Sequence, residues 1–388
     1  MVQPFNSTEA NGGRPPAAAP LPTAPPMDTL ARADGQYVDF LVLGNKENYI
    51  VRAERKAILD SNTTLVQMLS GSSDGKCVLH VNRDNFEIFV RYLETNFIKF
   101  TSPPHTLEIL ELSTQYQCRQ LEIHCVKELD LNLNLDHVLE VYRALWFYNS
   151  VAPPKAPPKE LKRRSKCPRA HKQHVVANGP LTPEEYFAAL LINCLQLIDT
   201  QAEQVFAQEA MMELRFPELE MIVKRDTLQL SSEMALIDLL ARWSLADCKR
   251  KHVDPTPENR RRALGALCYA PRYLTMSRRE FEVSRERIEL LDPTELQLVG
   301  DILTSGGMKK ANQLAPEQQE LMARFRTVRS AFPLMPVELS ARSHPRNYPK
   351  RMRKAAADAE RERSGDPRKS CCNRFLLNCC SVFACIFD

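Results

Sequence analysis

The stretch LTPEEYFAALLINCLQLIDT, residues 181–200, decides how the chain is read. Thr182 is placed as an N-cap, Pro183 suits the first helical position, and Glu185 stands where a capping-box partner belongs, so a helix is predicted from Tyr186 to Ile198. Downstream to about Leu303 every periodic stretch is helical and none reads as a strand: Ala202 to Met212, Phe216 to Val223, Met234 to Asp247, Glu258 to Cys268, and Pro293 to Leu303. Residues 181–303 therefore read as an all-α domain. Trp243 lies on an apolar helical face within it and is read as core.

Upstream the character of the chain changes. Residues 151–180 are rich in Pro, Lys and Arg, with eight Lys or Arg against the single Glu160 between Lys155 and Lys172. Such a density stays solvated and reads as an inserted loop. Before it, Leu135, Val138, Leu139, Tyr142, Leu145 and Trp146 mark a helix linking the two halves over residues 131–150. Residues 36–130 mix two periods. Tyr37 to Leu43 and Asn48 to Val51 flank Gly44-Asn45 as a hairpin, and Cys77 to Val81 is a third strand. Helical spacing runs through Ala57, Ile58, Leu65, Met68 and Leu69 to Gly71, then from Phe86 to Leu93 behind Asn82 or Asp84 as cap. Two more amphipathic helices follow the break at Pro103-Pro104, one around Leu107 to Tyr116 and one around Leu121 to Leu129. The expected class is α+β, a small mixed α/β domain followed by an all-α one. Residues 1–35, rich in Pro, Ala and Gly, read as a disordered arm. Residues 304–370 read as a basic, largely irregular linker and residues 371–388 as a Cys-rich tail.

Composition narrows the function. The 388 residues carry a net charge of only +4, which argues against a polyelectrolyte partner such as nucleic acid. Twelve cysteines in a chain that opens without a signal-peptide pattern suit a reducing, cytoplasmic setting, so no disulfide framework is expected. Seven are scattered singly, at Cys77, Cys118, Cys125, Cys167, Cys194, Cys248 and Cys268, and read mostly as small core residues. Cys167, His171 and His174 offer too few ligands at unusual spacing for a metal. Lys162 to Lys166 lacks interleaved aromatics and reads as solvated linker. With no nucleophile elbow, phosphate loop or metalloprotease helix, no enzyme, cofactor or metal is expected.

The order of the elements and their local strings resemble a BTB (POZ) domain followed by a BACK domain. Ala57-Ile58-Leu59-Asp60-Ser61 through Leu69 and Gly71, Phe86 to Leu93, and Leu107 to Gln117 carry the first part. Asn193-Cys194-Leu195-Gln196-Leu197-Ile198-Asp199-Thr200-Gln201-Ala202-Glu203 resembles the opening of BACK. Lys224-Arg225-Asp226-Thr227-Leu228, Ala235 to Trp243, Glu258 to Arg261 with Leu264-Gly265, Thr275 to Ser277 and Glu280-Phe281 follow in the order of the BTB-domain-containing 1/2/3/6 group. Neither kelch blades nor a PHR-like sandwich follows, because residues 304–388 lack their strand patterns. The resemblance implies work by surface rather than by chemistry: self-association through the BTB-like domain, a face for cullin-3, and an unidentified substrate protein carried to a ubiquitin ligase. The implied cullin-contact candidates are Asp74, Tyr116, Gln117, Tyr142 and Trp146. Ser72-Ser73-Asp74 keeps the acid of the motif used by cullin-binding relatives and lacks its apolar knob.

The Cys-rich end supports an alternative. Cys371, Cys372, Cys379, Cys380 and Cys385 sit among Phe, Leu and Val, behind a segment from Arg342 to Arg374 with eleven Lys or Arg against four Asp or Glu. Thiols in such surroundings are the usual substrates of S-palmitoylation, and acyl chains with a polybasic segment supply two anchoring signals. A palmitoylated scaffold on a membrane surface, acting without ubiquitin transfer, is the second reading. Zinc ligation by CC-x6-CC-x4-C and a tail merely packed in a groove stay beside it.

Overall fold

Val38, Phe40 and Val42 alternate with less buried neighbours, so the first segment extends with one face inward. This is β1 (Tyr37–Leu43). It pairs antiparallel with β2 (Asn48–Glu54) and parallel with β3 (Lys76–Leu79), giving the sheet order β2-β1-β3. Gly44 is required at the hairpin, since a Cβ there would stand 2.5 Å from the Glu47 carbonyl oxygen. The crossover from β2 to β3 contains α1 (Arg55–Asp60) and α2 (Thr64–Gly71). Then come α3 (Arg83–Thr95), α4 (Pro103–Gln115) and α5 (Arg119–Leu131). Asn82 caps α3 by accepting from the Asn85 N–H, and Ser102 caps α4, whose two prolines occupy the first positions of the helix. The sheet closes on these helices through aromatic contacts, with Phe40 edge-on to Phe86 at 5.3 Å and Phe89 against Tyr116 at 5.5 Å.

The computed structural model describes residues 36–44, 47–71, 76–150, 181–285, 290–304, 315–344 and 347. The linking helix is shorter than its apolar pattern suggests. It comprises α6 (Val138–Ala144), followed by a 3₁₀ turn at Trp146–Ser150. The helical half then runs through α7 (Pro183–Thr200), α8 (Ala202–Phe206), a 3₁₀ turn at Glu209–Glu213, α9 (Phe216–Val223), α10 (Met234–Arg250) and α11 (Pro257–Leu264). After it come α12 (Arg278–Arg285), α13 (Pro293–Thr304) and α14 (Pro316–Arg326). No strand occurs among the described residues from 181 to 303, and the class is α+β. The single helix predicted from Glu258 to Cys268 divides at Gly265, whose φ of +50° is outside the right-handed helix.

The capping box predicted at the head of α7 is present. The Glu185 N–H donates to Thr182 Oγ1 at 3.3 Å and the Thr182 N–H donates to Glu185 Oε2 at 2.8 Å. Thr182→Ala should therefore cost about 0.5–2 kcal/mol in urea unfolding, with no change in the slope against denaturant.

The irregular linker expected past Gly306-Gly307 meets a different arrangement over residues 315–344. Helix α14 buries Met322 and Phe325, and Phe325 packs edge-on to Tyr273 at 4.9 Å. Beyond it an extended strap crosses the helical half, held by acidic and amide side chains of the body. Arg329 donates to both carboxylate oxygens of Glu233, at 2.6 and 2.9 Å. The Leu334 N–H donates to Asp199, which also holds Arg225 and Thr227. Asn193 pairs with both backbone groups of Val337, accepting at 2.7 Å and donating at 2.9 Å. The strap ends on α5, where Ser340, Arg342 and Ser343 all donate to the buried carboxylate of Asp130. One continuous apolar core runs from Val38 to Leu339, so the two expected units share an interior rather than standing apart.

Candidate partner-binding surface

Helices α4 and α5 meet at a tight corner made by Tyr116, Gln117 and Cys118. Tyr116 turns inward, 3% exposed, against Phe86 and Phe89, and its carbonyl accepts from the Thr64 N–H. Gln117 has φ of +56°, which swings its side chain out to solvent, and Cys118 turns back in. The corner is tied by the Cys118 N–H to the Ser113 carbonyl at 2.8 Å. Gln117 consequently lies on a fixed, exposed ledge.

Of the five residues expected to touch cullin-3, the structure separates insiders from outsiders. Tyr142 is fully buried, and its hydroxyl donates to the Glu218 carbonyl at 2.8 Å. That bond joins α6 to α9, and Arg215 in turn holds the Glu218 carboxylate from its backbone N–H and its guanidinium. Burial, with the Glu218 carboxylate adding to it, pushes the Tyr142 phenol well above the ordinary tyrosine range, so it stays a neutral donor. Tyr116 and Tyr142 are thus core residues, and neither offers a side chain to a partner. The reason is spacing: each lies in phase with the apolar face of its own helix. Trp146 is half-buried, edge-on to Tyr142 at 5.9 Å, and its neighbour Phe147 is 79% exposed. Asp74 lies outside the described residues, as do the lipidation candidates Cys371, Cys372, Cys379, Cys380 and Cys385.

Three hollows surround this region. The largest, about 760 Å³, runs beside α1 and the α4–α5 corner and is lined by Lys56, Asp60, Glu94, Gln117, Arg119 and Gln120 among others. A second, about 600 Å³, lies between α6 and the Glu209–Glu213 turn, where Arg143 pairs with Glu213 at 3.2 Å. The third, about 280 Å³, separates the head of α5 from the head of α7, and Gln117 and Arg119 line it too. None is a closed apolar chamber with convergent polar groups of the kind that holds a small substrate.

Among the described residues the cysteines are all enclosed. Cys77, Cys118, Cys125, Cys194, Cys248 and Cys268 are buried and unbridged, and burial pushes the Cys118, Cys125 and Cys194 thiols up, away from the reactive thiolate. Among the described residues no group of His, Cys, Asp and Glu could hold a metal ion, and no helix is long and apolar enough to cross a membrane. Trp243 is buried as read, its indole N–H donating to the Leu214 carbonyl at 2.9 Å. What sequence reading missed are the residues that lock the strap and the carboxylate of Glu122 at the third hollow. The only signal for Glu122 was an acid placed between Leu121 and Ile123 on a strongly apolar helix.

Residues 186–256 match the BACK family, "BTB And C-terminal Kelch". BTB/POZ domain-containing protein 6 of Xenopus laevis is 34% identical over 110 residues, which is 28% of this chain and 21% of that protein. BTB/POZ domain-containing protein 6-B of Danio rerio is 37% identical over 92 residues, 24% of this chain and 19% of that protein. BTB/POZ domain-containing protein 3 of Homo sapiens is 32% identical over 88 residues, 23% of this chain and 17% of that protein. The chain thus spans about a fifth of the length of the curated relatives it matches.

Proposed function

Starting from a chain that resembles the BTB–BACK proteins and carries the BACK match, we propose that it is a non-enzymatic adaptor that brings a substrate protein to a cullin-3 ubiquitin ligase. Residues 36–130 act as the BTB-like unit, and the BACK-like unit extends from residue 181 through the strap to residue 344. The observation that supports the reading is the hydrogen-bonded connection between them. Asn193 and Asp199 on α7 and Glu233 before α10 hold the strap to the helical half, and Asp130 on α5 holds its far end, a connection suited to keeping the halves at a set distance. An adaptor that positions one protein against another needs that constancy.

Cullin-3 is taken to approach the α4–α5 corner, where Gln117 and Arg119 are exposed, with Trp146 and Phe147 farther along. An exposed Phe147 and a half-buried Trp146 beside a polar ledge suit the composition of an interface centre. The test is a pull-down of cullin-3 by the full chain beside Gln117→Gly. Glycine accepts the positive φ of this site without strain, so the variant should keep its melting temperature. It should bind cullin-3 about tenfold more weakly, a loss of about 1.4 kcal/mol. Absence of cullin-3 at micromolar wild-type protein overturns the proposal. Self-association through the BTB-like unit belongs to the same reading, and a monomeric mass at all concentrations in analytical ultracentrifugation would remove it.

A further inference from the structure

The hollow between the heads of α5 and α7 is lined by a carboxylate that no hydrogen bond holds among the described residues. Glu122 is only 6% exposed, yet among the described residues its side chain makes no hydrogen bond and no ion pair. Glu122 lines the hollow together with the exposed Glu184 on α7, and the two acids repel each other. Burial first, and Glu184 second, raise the proton affinity of Glu122. The Tyr148 phenol senses both carboxylates and is raised as well, after burial. Arg119 stands at the rim, exposed, and its charge works against the effects of burial and Glu184 on Glu122, though among the described residues it forms no ion pair with either acid. The opposite wall is aromatic, since the Tyr148 and Phe187 rings lie 4.4 Å apart.

Carboxylates this deep in a fold are commonly paired or hydrogen-bonded; the Glu122 oxygens instead open on the hollow, where an entering cation can reach them. Here two acids face a single opening of about 280 Å³, too small for a domain and large enough for one long side chain. We propose that this crevice binds one basic side chain, Lys or Arg, from a partner polypeptide, with the cation between Glu122 and Glu184 and its aliphatic stem against Tyr148 and Phe187. Charge complementarity and the aromatic wall both favour such an occupant, and guanidinium adds stacking on the rings. The inference rests on the chain being an interaction adaptor and does not depend on cullin-3 being the partner.

A labelled peptide Gly-Leu-Arg-Leu-Gly, titrated against the full chain by fluorescence anisotropy, tests this beside the same peptide with neutral citrulline in place of arginine. The arginine peptide should bind at least tenfold more tightly, that is about 1.4 kcal/mol. Glu122→Gln should abolish the difference without lowering the melting temperature, because it removes a charge that burial disfavours. Glu184→Gln, on an exposed residue, should reduce the difference about threefold, since an exposed carboxylate is screened by solvent. Equal binding of the two peptides, or discrimination that survives Glu122→Gln, overturns the proposal. Discrimination that emerges only after deletion of residues 155–172 overturns it too, since the chain itself would then supply the basic side chain. Failure here with intact cullin-3 binding leaves the adaptor reading standing.

Discussion

Asp130→Ala is expected to destabilise the protein by about 3–5 kcal/mol, because it strips the acceptor from several donors at once in a dry site. Asp130 is fully buried at the end of α5. Its carboxylate takes hydrogen bonds from Asn193 at 2.7 Å, Ser340 at 2.5 Å, Ser343 at 2.6 Å and the Arg342 guanidinium at 2.9 Å. Arg342 also donates from Nε to the Asp130 carbonyl at 2.6 Å, so it keeps one bond in the variant. Urea unfolding gives the loss directly. Limited proteolysis gives its location: cleavage within residues 327–344 should precede cleavage anywhere in α7. A loss below about 1 kcal/mol, the range of an exposed ion pair, would mean that the strap is not held by this carboxylate.

The second large effect is expected at the other end of the strap. Glu233 and Arg329 form a two-pronged pair in which both side chains are less than a tenth exposed, and Arg329 also donates to the Arg225 carbonyl. Glu233→Ala leaves a guanidinium buried without its counter-charge and should cost about 3–5 kcal/mol. Replacing both residues, as Glu233→Met with Arg329→Met, should cost clearly less than the sum of the single changes, since the double variant strands no charge. The double-mutant cycle is therefore expected to show a coupling of about 1–3 kcal/mol. Strict additivity would show that the two residues do not act as a pair.

These two sites mark where the sequence was hardest to read. Periodicity is visible when an element buries one face, and it announced β1, the helices from α3 to α5, and α10 with its buried Trp243. Cap chemistry is local in sequence, so Thr182 and Glu185 could be paired by eye. The strap has neither property. Its bonds run from Asp130, Asn193, Asp199 and Glu233 across 96 to 213 positions of chain, and several end on backbone groups that carry no residue signature. An extended segment satisfied by distant side chains looks like a linker until the fold is assembled.

The candidate site shows a complementary gap. Tyr116 and Tyr142 were drawn toward a partner by resemblance, although their own spacing already placed them with the buried faces of α4 and α6. Gln117 lay next to one of them, and its outward turn depends on a positive φ that the residue type does not advertise. Glu122 was overlooked because an acid in an apolar helix normally reads as a solvated position, and here the head of α7 covers it.

The two halves and the strap are expected to move as one body. Hydrogen exchange read by mass spectrometry, with peptides from β1, from α7 and from residues 327–344, measures this in a single experiment on the full chain. The slowest amides of all three segments are expected to open together, with the same free energy as global unfolding. Strap amides exchanging orders of magnitude ahead of α7, or β1 and α7 opening with separate energies, would contradict it.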